Sequence, residues 1–205
     1  MISKLKHMYC ISIDNRIFNK ISELGYIPVG LGDSHFSPEW MTDKTGENIS
    51  IKNKFYGEYT FHYFFWKNLM HKIPDQEWIG FCGYRRFWKN ENNLSNEFQH
   101  NVLKNIPEKW NNFEVIIGDK LDLKIIKWIK VLKYGKIALA RNPKVLINKN
   151  FRNIRFHFDM FHGNGVLDKA IDQLNHEDKI DFGEYVRINT SFNQGNMFIT
   201  KSKKI

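Results

Sequence analysis

The 205-residue sequence predicts an α/β fold, a mostly parallel, Rossmann-like sheet flanked by helices, and two observations carry the prediction. The chain opens as strand, helix, strand, and such a β-α-β unit feeds a right-handed crossover into a parallel sheet. Further on, Trp78-Ile79-Gly80-Phe81-Cys82-Gly83 is a short apolar run. A parallel strand covered on both faces reads in this way.

Each element can be justified in turn. Residues 8–13 read as the first strand. Asp14 or Asn15 caps a short helix to about Leu24, with Gly25 at the C′ position. Residues 26–31 form the second strand. Residues 32–53 are long and polar, and a loop of that length inside a compact domain is usually functional or disordered. Its place after a strand end favours function. Residues 55–71 read as a helix, because Tyr56, Tyr59, Tyr63, Trp66 and Met70 recur at spacings of three and four, the stripe of a core helix. Pro74 and Asp75 end it. Residues 90–101 are Asn-rich, a loop with a short helix. Residues 113–117 read as a strand ending at Gly118-Asp119. Residues 122–133 form a basic amphipathic helix with Ile125, Ile126, Ile129 and Leu132 on its apolar side. Such a helix either packs on a core or lies on a membrane surface. Residues 164–175 read as a helix with Val166, Leu167, Ala170, Ile171 and Leu174 as its stripe. Asn193-Gln194-Gly195 is a turn before a strand at 196–200.

Length fits one domain over residues 1–205, large enough for a substantial core. Hydrophobic residues make up 42%, which fits a globular protein and argues against disorder. Aromatics reach 15% and suit sugar rings and bases as well as a core. The net charge of +9 favours acidic partners: nucleotide phosphates, anionic headgroups or nucleic acid. Lysines bunch at 124–136 and 201–204, but no zinc-finger spacing, RNA-binding signature or basic-region zipper is present, so nucleic acid is not the expected partner. Cys10 and Cys82 sit in apolar runs and read as two buried free thiols of a reducing compartment. The basic start is not followed by an apolar signal region, and no window approaches about 20 apolar residues. A cytoplasmic protein, at most peripheral at the inner face of the plasma membrane, is expected.

Three features can carry chemistry. Tyr84-Arg85-Arg86 follows the apolar strand, and in open α/β sheets the ligand crevice lies outside the carboxyl ends of the strands. Two planar guanidiniums there suit a diphosphate. The plain alternative is that they pair with nearby acids. The loop 43–50 offers Asp43, Gly46, Glu47 and Asn48, residues that can bind ribose and base edges or simply make turns. Around His157-Phe158-Asp159 and His162, His157 or Asp159 could serve as a general base. The two histidines are not at the i, i+4 spacing of helical zinc ligands. Neither a P-loop, nor a Gly-x-Gly-x-x-Gly fingerprint, nor a Gly-x-Ser-x-Gly elbow occurs, which disfavours ATPase, dehydrogenase and hydrolase chemistry.

Several segments together resemble the glycosyltransferase-like family, long described only as a domain of unknown function, of bacterial capsular and exopolysaccharide loci. They are Tyr26-Ile27-Pro28-Val29-Gly30, Asp43-Lys44-Thr45-Gly46-Glu47-Asn48-Ile49-Ser50, Lys52-Asn53, Tyr59-Thr60, Trp66-Lys67-Asn68, Ile79-Gly80-Phe81-Cys82-Gly83-Tyr84-Arg85-Arg86-Phe87 and Asn196-Met197-Phe198-Ile199. The resemblance covers nearly the whole chain. It implies a GT-A-like transferase that moves a sugar from a nucleoside-diphosphate sugar, a UDP-sugar first, to a surface polysaccharide or lipid-linked glycan acceptor. The family often has His before Tyr-Arg-Arg where this chain has Gly83. Relatives also continue past the last strand, whereas this sequence stops at Ile205, so an incomplete acceptor side or a truncated protein is an expectation too.

On this reading Asp43, Gly46, Glu47, Asn48, Tyr84, Arg85 and Arg86 bind the donor. Asp159 or His157 is the catalytic base, and His162, Asn193 and Asn196 line the sugar or acceptor side. No cofactor is expected. No Asp-x-Asp pair is present to hold a divalent metal, so the arginines would neutralise the diphosphate, with metal dependence left open. The rival reading is a non-catalytic nucleotide- or glycan-binding relative in a polysaccharide assembly complex.

Overall fold

The computed structural model describes residues 3–90 and 95–202. The chain divides into two compact units, one made of Met1–Gly118 with Gly195–Ile205, the other of Asp119–Gln194.

Among the described residues the central sheet of the first unit has six strands, β1 (His7–Ser12), β2 (Ile27–Gly30), β3 (Met41–Thr42), β4 (Trp78–Gly83), β5 (Val115–Ile117) and β6 (Phe198–Lys201), and Ser3–Lys4 pairs antiparallel with Asn105–Ile106 in a separate small sheet. The order across the central sheet is β3-β2-β1-β4-β6-β5. The first four run parallel, and β6 runs antiparallel to both β4 and β5. The fold is therefore α/β with a mostly parallel sheet, as predicted.

The opening unit follows its sequence signals. Asp14 accepts from the Arg16 backbone N–H, a 3₁₀ turn leads into α1 (Phe18–Glu23), and Gly25 sits at φ +77 to close it. Side chains alternate across a strand, so Met8 and Cys10 enter one core while Tyr9 and Ile11 enter another. Gly80 and Cys82 fall on the Met8 face of β4; Ile79 and Phe81 fall on the Tyr9 face. Both faces are covered, which explains the unbroken apolar runs. The core with Met8 gathers Ile21 and Leu24 of the α1 region, Trp40 and Trp88; the core with Tyr9 gathers Phe61, Phe64 and Phe65. Cys10 and Cys82 stand side by side in register, both buried and free.

Two expectations for this unit need correction. The loop 32–53 contains β3, two residues that pair with β2, and a 3₁₀ turn at Ser50–Lys52. The helix 55–71 is broken at Gly57-Glu58 into Asn53–Tyr56 and α2 (Tyr59–Asn68). Its buried face is Thr60, Phe61, Phe64 and Phe65, while Tyr56, Tyr59 and Trp66 of the supposed core stripe are about half exposed. The helix is aromatic on every side, so spacing alone could not choose a face. Phe61 and Phe65 win because they pack on Tyr9 and Phe81 of the sheet, with ring centroids 5.2–6.4 Å apart. In the Asn-rich stretch, residues 91–94 lie outside the described residues and Phe98–Asn101 form a 3₁₀ turn.

The second unit is helical: α3 (Trp128–Tyr134), α4 (Lys136–Arg141), α5 (Lys144–Ile147), α6 (Ile154–His162), α7 (Val166–Ile171) and α8 (His176–Ile188). Lys120–Asp122 pairs antiparallel with Ser191–Asn193. Val131, Ala138, Leu139 and Val145 pack with Phe156 and Met160 of α6. Leu167, Ile171 and Val186 make a second small core. The amphipathic helix expected at 122–133 is a 3₁₀ turn (Leu123–Ile125) followed by α3. Its expected apolar side is not the buried one: Ile125, Ile129 and Leu132 are exposed, and Val131 is buried. Of the stripe expected at 164–175, Leu167 and Ile171 are buried while Val166 and Leu174 face outward. Helix α8 has no counterpart among the elements expected from the sequence. Charged residues fill nearly half of its positions, and Ile180, Phe182, Tyr185 and Ile188 are all 40% exposed or more, so it carries little periodic signal. Among the described residues no helix is long and apolar enough to cross a membrane.

Candidate functional site

The carboxyl ends of β1 to β4 share one edge of the sheet, since Ser12 pairs with Gly30, Gly30 with Thr42 and Ile11 with Gly83. β6 runs the other way and begins at that same edge, Phe198 standing opposite Phe81. Topology therefore brings the segment after β4 beside the segment before β6. Between them lies a cleft of about 490 Å³ lined by Glu58, Gly83, Tyr84, Arg85, Arg86, Gly195, Asn196 and Met197.

A tight turn builds its floor. The Tyr84 N–H donates to the Ile11 carbonyl at 2.9 Å and the Arg86 N–H to the Gly83 carbonyl at 2.9 Å. The turn projects two exposed guanidiniums from adjacent positions. Arg85 lies over the Tyr84 ring, 5.0 Å from its centroid. Opposite them, Glu58 is the residue before α2, and its carboxylate makes no capping bond to the helix. Asn196 donates to that carboxylate at 3.4 Å and accepts from the Tyr59 hydroxyl at 3.0 Å. The cleft thus joins two permanent cations, one carboxylate and an amide held at both ends. Such a set can bind a dianion and take up a proton beside it.

Asp43, just past β3 on the same edge, is 1% exposed, and neither carboxylate oxygen has a hydrogen-bond partner among the described residues. A buried acceptor left unpaired costs about 1–3 kcal/mol, so the Asp43 carboxylate calls for a donor from water or from a ligand. Its loop neighbours Glu47 and Asn48 have partners. Asn68 accepts from the Glu47 N–H at 3.1 Å and donates to the Glu47 carbonyl at 2.8 Å. The Glu47 carboxylate accepts from the Tyr63 hydroxyl at 2.7 Å and lies 3.5 Å from the Lys67 ammonium, contacts that hold it below the usual range. Asn48 bonds Gly46 and Ser50. Glu47 therefore ties the loop to α2, Asn48 braces the turn from Gly46 to Ser50, and none of Gly46, Glu47 and Asn48 lines the cleft.

Residues 13–205 match the family described as a domain of unknown function, DUF4422. The chain belongs to that family. Among solved structures, this DUF4422 chain is similar to an apo structure of WbbM, a bifunctional glycosyltransferase, with a TM-score of 0.51 and 16% identity. The match covers 95% of this chain and 33% of WbbM, so the chain spans about a third of that protein's length. At that identity the likeness is one of fold. No curated protein matches the sequence.

Of the sequence-predicted residues, the cleft brings together Tyr84, Arg85, Arg86 and Asn196. His157, Asp159, His162 and Asn193 belong to the other unit. There Asp159 accepts from the Gly165 N–H at 3.0 Å and borders a polar hollow with Arg141, Asn153 and Arg155. His157 packs against Phe161 and Phe192, and burial, then the neighbouring His162, lowers its pKa. Asn193 lies in the strand pairing with Lys120, and His162 packs on Phe158. Among the described residues no three His, Cys, Asp or Glu side chains gather in the way a metal ion needs.

Two residues of interest were missed. Glu58 carried no motif, and its partner Asn196 is 138 positions away. His62 lies behind the cleft against Phe81 and Phe198, its Nε2 buried without a partner among the described residues. Burial lowers its pKa to about 4, so it stays neutral at physiological pH.

Proposed function

We propose that this DUF4422 chain is a glycosyltransferase that moves a sugar from a nucleoside-diphosphate sugar, a UDP-sugar first, to a surface polysaccharide or lipid-linked glycan at the inner face of the membrane. The observation that carries the reading is that Arg85, Arg86 and Glu58 line one cleft at the carboxyl edge of the sheet. Crevices at that edge are where open α/β sheets hold nucleotides, and the shared fold with a glycosyltransferase supports the class.

In this reading Arg85 and Arg86 hold the diphosphate. The bond between the sugar's anomeric carbon and the diphosphate oxygen breaks, and its electron pair leaves with the diphosphate. Negative charge grows on that oxygen, and the guanidiniums stabilise it more in the transition state than in the bound donor. The acceptor hydroxyl oxygen bonds to the anomeric carbon, and its proton passes to Glu58, the carboxylate of the same cleft. Asn196 positions Glu58 through their hydrogen bond. Asp43 receives donor groups, ribose hydroxyls or a base N–H, that satisfy its open oxygens. Gly46, Glu47 and Asn48 serve by holding the Asp43 loop in place. The non-catalytic alternative shares the binding steps and lacks the last one.

The test is a thermal-shift screen with UDP, GDP, CDP and their sugar conjugates, each with and without manganese, followed by assay of nucleotide release in the presence of glycan acceptors. A ligand at about 100 times its Kd adds about 2.7 kcal/mol. A selective shift with one nucleotide, and release of that nucleotide on adding acceptor, supports the transferase. A shift without release supports the binding-only relative. No shift with any nucleotide removes the donor site. A response that needs manganese counts against arginines as the sole counter-charge.

A further inference from the structure

From Leu123 to Phe151 the sequence contains eight Lys and Arg residues and not one Asp or Glu. This stretch holds α3, α4 and α5, all within the second unit. Each of the three helices turns its small inward set onto α6: Val131, then Ala138 and Leu139, then Val145. The joint between α3 and α4 is pressed tight. A Cβ on Gly135 would stand 2.6 Å from the Val131 carbonyl oxygen and 3.0 Å from Met160 Cγ.

The outward sides are not polar throughout. Ile125, Ile129, Leu132, Ile137, Leu146 and Ile147 are all more than half exposed, with Ile129 at 77% and Ile147 at 91%. Exposed Lys127, Lys130, Lys133, Lys136 and Lys144 alternate with them along the chain. Soluble proteins rarely leave large apolar side chains bare in such number unless something covers them.

We propose that this face of the second unit docks on an anionic lipid bilayer, its lysines reaching the headgroup phosphates and its isoleucines and leucines entering the acyl boundary. Charge complementarity selects the occupant. A patch of bare Ile and Leu alone would fit a protein partner, and a run of lysines alone would fit any polyanion. The two interleaved, with no acid among them, match an interface whose surface is anionic and whose depth is apolar. Lysine stems lie along apolar surface while their ammonium groups stay at the headgroup level. Duplex nucleic acid rewards the cations and gives nothing for the six bare aliphatic chains. The three helices are far too short to span a bilayer, so the mode is peripheral. This inference is independent of the donor-cleft reading, since it needs no nucleotide.

The experiment is co-sedimentation of the full chain with vesicles of phosphatidylcholine alone and of phosphatidylcholine with about a third phosphatidylglycerol. The expected result is binding to the anionic vesicles at least about tenfold stronger than to the neutral ones, weakening as salt rises. The variant Lys127→Gln/Lys130→Gln/Lys133→Gln loses that preference. The variant Ile129→Ser/Leu132→Ser, with charge unchanged, also binds the anionic vesicles several-fold less. All these side chains are exposed, so both variants should melt at the temperature of the natural chain. Absence of binding to anionic vesicles overturns the proposal. So does binding that ignores Ile129→Ser/Leu132→Ser and is fully competed by duplex DNA, which would mark a general polyanion surface. A dimer dissolved by Ile129→Ser/Leu132→Ser, without vesicle binding, would instead assign the face to a second copy of the chain.

Discussion

The Nη1 of Arg86 lies 3.2 Å from the point where a Cβ on Gly195 would stand, and Gly195 itself sits at φ +83. The guanidinium therefore rests against bare backbone from the far end of the chain. Gly195→Ala should tilt Arg86 away and strain the turn by about 1–2 kcal/mol. Arg86→Ala removes the charged contact, worth about 1.5–3 kcal/mol, roughly ten- to a hundredfold in affinity. Nucleotide titration followed by calorimetry should rank the natural chain above Gly195→Ala and that above Arg86→Ala. Equal affinities across the three would take Arg86 out of the donor site.

Asp43 should behave as a residue that serves a ligand at the expense of the empty fold. Asp43→Asn keeps the shape and removes the burial of a carboxylate with no donor. The ligand-free variant should melt at or above the temperature of the natural chain, and its nucleotide-induced shift should shrink by at least half. A ligand-free midpoint several degrees lower would show that Asp43 supports the loop instead.

Glu58, Asp159 and His157 are three candidates for the base, and turnover separates them. Glu58→Gln should cut the transfer rate about a hundredfold or more, the usual scale of general-base catalysis, while leaving nucleotide affinity nearly intact. Asp159→Asn and His157→Gln should leave the rate within a few-fold, because the Asp159 carboxylate is engaged by the Gly165 N–H and His157 is packed between rings. The opposite order would move the base to the second unit.

His62 links stability to pH. Its pKa falls from 6.5 unfolded to about 4 folded because burial disfavours the charged ring. Between those values the unfolded chain binds a proton that the folded chain refuses, so stability drops as pH falls from 6.5 towards 4 and is unaffected by this group above 6.5. The loss is on the order of 3 kcal/mol. His62→Phe fits the aromatic cluster of Phe81 and Phe198 and should flatten that part of the acid limb, as read by urea midpoints at pH 7 and pH 5. An unchanged slope would mean that His62 titrates normally.

Local signals made the first half of the sheet readable. Asp14, Gly25 and the apolar runs of β1, β2 and β4 each dictate a backbone state within a few residues. The gathering of Tyr84, Arg85, Arg86 and Asn196 needed only the rule that ligands sit at the carboxyl edge, plus the resemblance that linked the two distant motifs. What sequence could not supply was any choice decided by a distant partner. The buried face of α2 depends on Tyr9 and Phe81, β3 is two residues long and exists because β2 offers an edge, and Glu58 matters only through Asn196. The outward Ile125, Ile129 and Leu132 have the spacing of a core stripe because spacing records a pattern and not what covers it.

Strands β5 and β6 are sheet neighbours, yet the whole second unit is inserted between them. A ribosome must therefore deliver the helices of Asp119–Gln194 before β6 can slot between β4 and β5. Until then the nascent first unit exposes the edge of β4, with Phe81 and Ile79 one strand short of cover. Unpaired edges of this kind recruit other strands. Prompt collapse of the inserted unit shortens that interval, so substitutions that slow it should lower soluble yield during synthesis even when the finished protein is just as stable.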